Sequence, residues 1–337
     1  MILPLHLRVD EASHVGTARR LAAALCRELG FGEVRAAEAT LVVTELATNL
    51  VKHTGGAGGT IVFQPLQQVG GVGLDILSLD LGPGIANIAQ SLRDGHSTAG
   101  STGTGLGAIR RLSSQFDLYS APGQGVALLS RLWHIAPAAA SALAVGAVCL
   151  PVQGEQVCGD AWAMKAVSGS TLFMLADGLG HGPDAAQAAE LAVAIFHKHA
   201  PCSPAQLLEL IHAGLRSTRG AVLALAELSL AQGVMRFAGV GNIAALILDG
   251  PNCRNMISYN GTAGVEVGKI REFSYPWPAG GTLVLHSDGL AAHWNLEHYP
   301  GLARKHPALI AGVLFRDHHR ARDDSTVLVA REERALP

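Results

Sequence analysis

The sequence predicts an α/β protein of two domains, and three observations carry that prediction. Its 337 residues exceed one domain of ordinary size. Apolar runs with strand character alternate with amphipathic stretches of helical period in both halves. The stretch HIAPAAASA (134–142), uncharged apart from its histidine and built mostly of small residues, separates the halves. The expected domains are residues 1–134 and 142–337, joined by a linker over 135–141.

In the first half, PLHLRV reads as a short strand. ASHVGTARRLAAALCRELG is an amphipathic helix with Gly30 placed to cap its C-terminus. A second helix is expected over about 34–53, followed by strands GTIVFQPL and GLDILSLDL. A glycine-rich segment then leads into the helix GLGAIRRLSSQF, and strands DLYSA and GVALLSRLW close the half near Trp133. The second half opens with strands LAVGAVCLPV, AWAMKAV and STLFMLAD, then two helices over about 183–199 and 204–217. Strands GAVLALAELSLA, GVMRFAGVG, NIAALILDG, REFSYPW and TLVLHSDG come next. A helix near 301–318 and the strand STVLVAR finish the chain. Many strands with inserted helix pairs suggest two sheets between helices.

Composition narrows the function classes. Hydrophobic residues are 49% and charged residues 15%, enough for packed cores and without a disorder signature. A net charge of −2 argues against a general nucleic-acid binder. The five cysteines (Cys26, Cys149, Cys158, Cys202 and Cys253) show no C-x-x-C spacing and read as reduced core residues of a cytosolic protein. MILPLHLRVDEA lacks the pattern of a signal peptide. The uncharged stretch 135–153 is rich in Ala, Ser, Gly and Val with prolines near its ends, so a linker running into a buried strand is expected there rather than a membrane span.

The second half carries aspartates at strand ends. FMLADGLGHGPDA places Asp177 after an apolar run, with Gly178, Gly180 and Gly182 following. A phosphate-cradling P-loop needs Lys-Ser/Thr after its glycines, whereas His181, Gly182 and Pro183 stand here. A hard divalent cation instead needs several oxygen ligands. Asp160 in VCGDAW, Asp288 in HSDGL, and Asp323 with Asp324 in RDDSTVLV repeat the strand-end setting, so the carboxylates are expected to gather at one edge of a sheet. Asp-Gly alone is a common turn pair. Together, VCGDAW, ADGLGHG, GVGNI, HSDGL and RDDSTVLV resemble the PPM-type metal-dependent protein phosphatases of the SpoIIE and RsbX kind, across about residues 143–331. The resemblance implies an αββα sandwich binding two Mn²⁺ or Mg²⁺ ions. Asp177 and the Gly178 carbonyl would be ligands, Asp288 and Asp323 would hold one metal, and Asp160 would bind the other ion or orient a water. Asp177 thereby becomes a catalytic candidate. A residue gripping the substrate phosphate is not assigned, and His181, His286, His318 and His319 are expected in ordinary packing or surface roles.

In the first half, TLVVTELATNLVKHT carries Glu45 and Asn49 one helical turn apart. LSLDLGPGI ends a strand at Asp80, with Gly82 and Gly84 after it. Gly103, Gly105 and Gly107 open a helix, whose N-terminal N–H groups favour phosphate. The ordered trio E-x-x-x-N, D-x-G-x-G and G-x-G-x-G, with RRLSSQFDLYS, resembles the GHKL ATPases and, within them, serine kinases and anti-sigma factors of the RsbT type over about residues 5–134. That implies a Bergerat α/β sandwich binding ATP. Asn49 would coordinate Mg²⁺, Glu45 would act as base, Asp80 would meet the adenine amino group, and the Gly82–Gly107 segment would form a lid. Thr104 departs from the apolar residue of many relatives. No upstream dimerisation helix with a phosphoacceptor His precedes the domain, which argues against a histidine kinase.

The two resemblances together imply a bifunctional enzyme. Its first domain would phosphorylate, and its second dephosphorylate, Ser/Thr on STAS-domain partners in a sigma-factor or stress-response switch. The alternative keeps the phosphatase and makes the first domain a non-catalytic ATP-binding regulator or anti-sigma-like binder. Glu45 favours the kinase reading.

Overall fold

The computed structural model describes residues 2–68, 71–92, 105–137 and 142–333. Residues 93–104 of the expected lid, Gly103 and Thr104 among them, and residues 138–141 of the expected linker lie outside the described residues. Packing divides the chain into two compact units, Met1–Ala140 with Asn295–Arg316, and Ser141–Trp294 with Asp317–Pro337.

Unit 1 is built on one antiparallel sheet of β1 (Leu5–Val9), β2 (Gly59–Gln68), β3 (Gly71–Asp80), β4 (Gln115–Ser120) and β5 (Val126–Ile135), ordered β1-β2-β3-β5-β4. Helices α1 (Ala12–Glu28) and α2 (Glu33–His53) bury one stripe each against it. On α2 that stripe is Ala39, Val42, Val43, Leu46, Ala47 and Leu50, the three-and-four spacing of an amphipathic helix. It leaves Glu45 and Asn49 half-buried along the stripe's border. Two short helices follow, α3 (Ile88–Ser91) and α4 (Gly105–Leu112).

In β3, Leu74 and Ile76 join the α1/α2 core, so Asp75, Leu77 and Leu79 project from the opposite face. Asp75 is buried there in a two-pronged ion pair with Arg131 at 2.6 and 2.7 Å.

Unit 2 contains two five-stranded antiparallel sheets. Its strands are β6 (Leu143–Leu150), β7 (Asp160–Val167), β8 (Ser170–Gly178), β9 (Ala221–Ser229), β10 (Val234–Val240), β11 (Ala244–Asp249) and β12 (Asn252–Asn255). The ribbon β13 (Gly261–Thr262) with β14 (Glu266–Val267) follows, then β15 (Phe273–Pro276), β16 (Thr282–His286) and β17 (Ser325–Glu332). The sheet orders are β15-β10-β9-β8-β7 and β12-β11-β16-β17-β6. Phe173, Leu175, Ala224 and Phe237 of the first sheet meet Val145, Ala245, Leu285 and Leu328 of the second. The alternate residues Leu172, Met174 and Ala176 face helices α5 (Pro183–His199) and α6 (Pro204–Gly214). Two-residue alternation thus sorts β8 between an intersheet core and a helix-covered face.

Helix α7 (Pro307–His318) follows sequence order into the second half, but the segment 295–316 packs with unit 1. Gly312 lies against Leu77 and Leu79: a Cβ there would be 3.1 Å from Leu79 Cδ2. Lys305 Nζ pairs with Asp117 Oδ1 at 3.0 Å, the His306 N–H donates to Asp117 Oδ2, and Arg316 donates to the Asp80 carbonyl at 2.8 Å. Among the described residues, no helix is long and apolar enough to cross a membrane.

Candidate active sites

In unit 2, register brings the first two carboxylates together: Asp160 opens β7 and stands opposite Asp177 near the end of β8. The other two belong to the second sheet, Asp288 just beyond β16 and Asp323 just before β17. The aspartates therefore come from two sheets rather than from one sheet edge, because each sheet ends a strand beside the same opening. Asp177, Asp288 and Asp323 line a cavity of about 440 Å³. Asp160 is not in that lining; it is 5% exposed and accepts a hydrogen bond from Ser287 Oγ at 2.7 Å.

Close backbone approach explains two of the glycines. A Cβ at Gly178 would lie 2.2 Å from the Ala185 carbonyl, so only glycine admits the first turn of α5 so near the end of β8. A Cβ at Gly289 would lie 1.8 Å from the Asp324 carbonyl. The neighbouring aspartates Asp323 and Asp324 separate in use. Asp323 lines the cavity, while Asp324 accepts the backbone N–H groups of Val152 at 2.7 Å and Gly159 at 2.8 Å, tying down the loop ahead of β7.

The electrostatics fit a cation site. Burial, then the charges of Asp160, Asp288, Asp323 and Asp324, push the Asp177 carboxyl up to about 9. Burial also raises Asp160 to about 7, against the lowering effect of the Ser287 hydrogen bond. Asp323 is raised by burial and then by Asp288. Among the described residues that line the cavity there is no Lys, Arg or His to offset these charges with one of opposite sign. The donors are hard oxygens, the set that suits Mg²⁺ or Mn²⁺. Among the described residues, no three His, Cys, Asp or Glu side chains are grouped closely enough to hold a metal ion as they stand; Asp177, Asp288 and Asp323 border the cavity instead.

In unit 1, α4 begins against Glu45 and Asn49. A Cβ at Gly105 would lie 2.9 Å from Glu45 Oε2 and 3.9 Å from Asn49 Oδ1. A helix N-terminus, a carboxylate and an amide thus meet at one place, with Gly107 buried in the next part of the turn. Asp80, at the end of β3, is 9% exposed. Its Oδ1 accepts from Gly82 N at 2.8 Å and Val126 N at 3.2 Å. Burial raises its pKa, and those two bonds oppose the rise. Gly82 is required by packing, since a Cβ would lie 2.9 Å from Thr54 Cα; Gly84 adopts φ +78°.

Comparison with known proteins assigns each half. Residues 8–130 match the histidine kinase-like ATPase domain model, and residues 168–333 match that of stage II sporulation protein E (SpoIIE). Serine/threonine-protein kinase RsbT of Bacillus subtilis (strain 168) is 38% identical over 127 residues, 38% of this chain and 94% of RsbT. This chain belongs to the RsbT family, fused to a SpoIIE-type phosphatase domain. Phosphoserine phosphatase RsbX of the same organism is 24% identical over 140 residues, 41% of this chain and 70% of RsbX. A solved structure reported under "The bacterial stressosome: a modular system that has been adapted to control secondary messenger signaling" is 31% identical. It superposes with a TM-score of 0.54, covering 57% of this chain and all of that one.

The RsbT-like domain brings Glu45, Asn49, Gly105 and Gly107 together around the start of α4, with Asp80, Gly82 and Gly84 at the end of β3. In the SpoIIE-type domain, Asp177, Asp288 and Asp323 share a cavity, and Asp160 sits behind them. His181 pairs with Glu155 at 2.8 Å, and His286 is buried between the Ser287 carbonyl and the Trp294 indole. Sequence reasoning did not single out Ser287 or Asn242, whose Nδ2 donates to Asp288 Oδ2 at 2.7 Å. The GVGNI motif was the available signal for Asn242; Ser287 had none beyond its place beside Asp288.

Proposed function

We propose that this chain is a two-way signalling enzyme: its RsbT-like domain phosphorylates, and its SpoIIE-type domain dephosphorylates, Ser or Thr on STAS-domain partners of a stress-response switch. The observation that carries the reading is the shared cavity of Asp177, Asp288 and Asp323, whose mutually repelling carboxylates ask for divalent cations. Asp177, the Gly178 carbonyl, Asp288 and Asp323 are the proposed ligands, with Asp160 as a further ligand or a water-orienting base. Two bound Mn²⁺ or Mg²⁺ ions supply charge neutralisation at phosphoryl oxygens and an acidified water. The chain's own contribution is to hold the carboxylates in place. Ser287 aligns Asp160, Asp324 secures the loop before β7, and Gly178, lacking a Cβ, lets the first turn of α5 pack against the end of β8.

In the RsbT-like domain, Glu45 is proposed to take the proton of the substrate hydroxyl. Asn49 would hold the Mg²⁺ that accompanies ATP, and Asp80 would accept from the adenine amino group. The N-terminal turn of α4, at Gly105 and Gly107, would face phosphate oxygens, and Gly103, outside the described residues, is proposed to extend that cradle. The names of RsbT, a serine/threonine-protein kinase, and RsbX, a phosphoserine phosphatase, support opposed activities in the two domains.

The test uses Asp177→Asn protein, so that hydrolysis cannot mask transfer. Labelled ATP, Mg²⁺ and a STAS-domain protein encoded beside this chain are added, and label on Ser or Thr is sought. Label that is removed on adding unaltered protein supports both activities. No label, with ATP binding and partner association demonstrated, overturns the kinase half and leaves a phosphatase with a nucleotide-binding regulator.

A further inference from the structure

The turn between β10 and β11 carries the motif GVGNI, which the catalytic assignments leave without a task. Its backbone is held from several sides. Gly241 adopts φ +93°, and a Cβ there would lie 2.2 Å from the Val222 side chain. The Gly241 N–H donates to the Tyr259 carbonyl at 2.8 Å, and the Tyr259 N–H donates to the Gly239 carbonyl at 3.0 Å. On this mount the Asn242 side chain reaches the cavity wall beside Asp288, and its Nδ2 donates to Asp288 Oδ2 at 2.7 Å. A carboxylate only accepts, so the amide nitrogen is the end that faces it.

The residue type matters. Asp288 shares the cavity with Asp177 and Asp323, and like charges at short range push one another's side chains apart. A neutral donor restrains one carboxylate without adding a charge that competes with a cation. A lysine in the same place would neutralise Asp288 and repel the metal; an aspartate would add to the repulsion. Partners that orient a metal ligand are typically worth about 10–100-fold in affinity.

We propose that Asn242 is a positioning residue, which fixes the Asp288 carboxylate so that it presents a free edge to a divalent cation. This rests on the cation reading of the same cavity.

The experiment titrates full-length protein with Mn²⁺ and follows free Mn²⁺ by electron paramagnetic resonance, independently of any turnover. Asn242→Leu keeps the shape and removes the donor. It is expected to weaken the affinity of the site that includes Asp288 by about 10–100-fold, with the number of sites unchanged. Asn242→Asp keeps the shape and adds a charge, and is expected to bind no better than Asn242→Leu. In an Asp288→Ala background, Asn242→Leu should change the affinity no further, which a general structural role would not produce. Circular dichroism and melting of the metal-free proteins check folding. Should Asn242→Leu misfold, Asn242→Ser, smaller and too short to reach Asp288, takes its place in the same titration.

Equal Mn²⁺ binding by unaltered and Asn242→Leu proteins overturns the positioning role and leaves the cation reading standing. Tighter binding by Asn242→Asp also overturns it, because the position would then be a ligand position in its own right. Absence of Mn²⁺ binding by unaltered protein overturns the cation reading, and this inference with it.

Discussion

Asp177 faces burial and several like charges at once, and that combination has a measurable sign. Its carboxyl rises to about 9 and that of Asp160 to about 7, so the folded, metal-free protein keeps protons that the unfolded chain releases near pH 4. Between those limits the folded state binds more protons, and metal-free stability falls as pH rises. Melting temperature without metal should therefore drop from about pH 5 to about pH 9, and added Mn²⁺ should reverse the loss at the upper end. Asp177→Asn should flatten the pH slope and abolish Mn²⁺-dependent phosphoserine hydrolysis. A pH-independent melting temperature for the unaltered metal-free protein would refute the electrostatic account. In the other domain, Glu45→Ala should leave ATP binding intact and reduce transfer by about 10²–10⁴-fold, the usual worth of a positioned base. Unchanged transfer, measured with labelled ATP, would remove Glu45 from that role. These residues were legible because their signals are local: an aspartate closing an apolar run, or two polar residues one helical turn apart. Ser287 and Asn242 were not, because their partners Asp160 and Asp288 lie 127 and 46 residues away and meet them only once the two sheets form.

At the scale of elements, the α5/α6 pair was readable almost to the residue, and the reason is end chemistry. Pro183 and Pro204 each occupy the first helical turn, where a missing N–H costs nothing. At α6, Ser203 Oγ accepts from Gln206 N while Gln206 Oε1 accepts from Ser203 N, a reciprocal cap written as S-P-A-Q in the sequence. Ser203→Ala should cost about 1 kcal/mol. In a unit of this size that lowers the melting temperature by roughly 2–4 °C. Because the cap belongs to the helix layer outside the carboxylate-lined cavity, Mn²⁺ affinity should stay unchanged, and a parallel loss of affinity would show that α6 supports the cavity. The partition of strands between the two sheets was less legible. An apolar alternation such as LAVGAVCL or TLVLH fits either sheet equally well. What assigns β6 is its pairing with β17, between Leu143 and Glu332 at one end and Leu150 and Ser325 at the other. No local pattern states a pairing across nearly the whole second half of the chain.

At the scale of the molecule, the largest departure from linear order is the segment 295–316, which leaves the second half of the sequence to complete unit 1. The composition of α7 explains why it needs a partner: Leu309, Ile310, Val313 and Leu314 are fully buried, so it is apolar around most of its circumference. The first-half sheet offers a matching need. Leu77 and Leu79, on the face away from α1 and α2, are 0% and 2% exposed, and each is worth about 1.5–3 kcal/mol of burial. Polar anchors fix the register, with Lys305 and His306 on Asp117 and Arg316 on the carbonyl of Asp80. A chain ending at residue 140 contains every ATP-site candidate but lacks this cover. It should melt at lower temperature than unit 1 within the full chain, bind an apolar-surface dye, and exchange its β3 and β5 amides faster. Appending 295–316 through a flexible linker should restore protection of those amides. The two shortened chains together separate two causes that a single truncation would confuse. If the appended segment restores nothing, the loss comes from cutting the chain rather than from uncovering Leu77 and Leu79. If the short chain is already as protected as the full one, α7 is a passenger on that face and not part of its core.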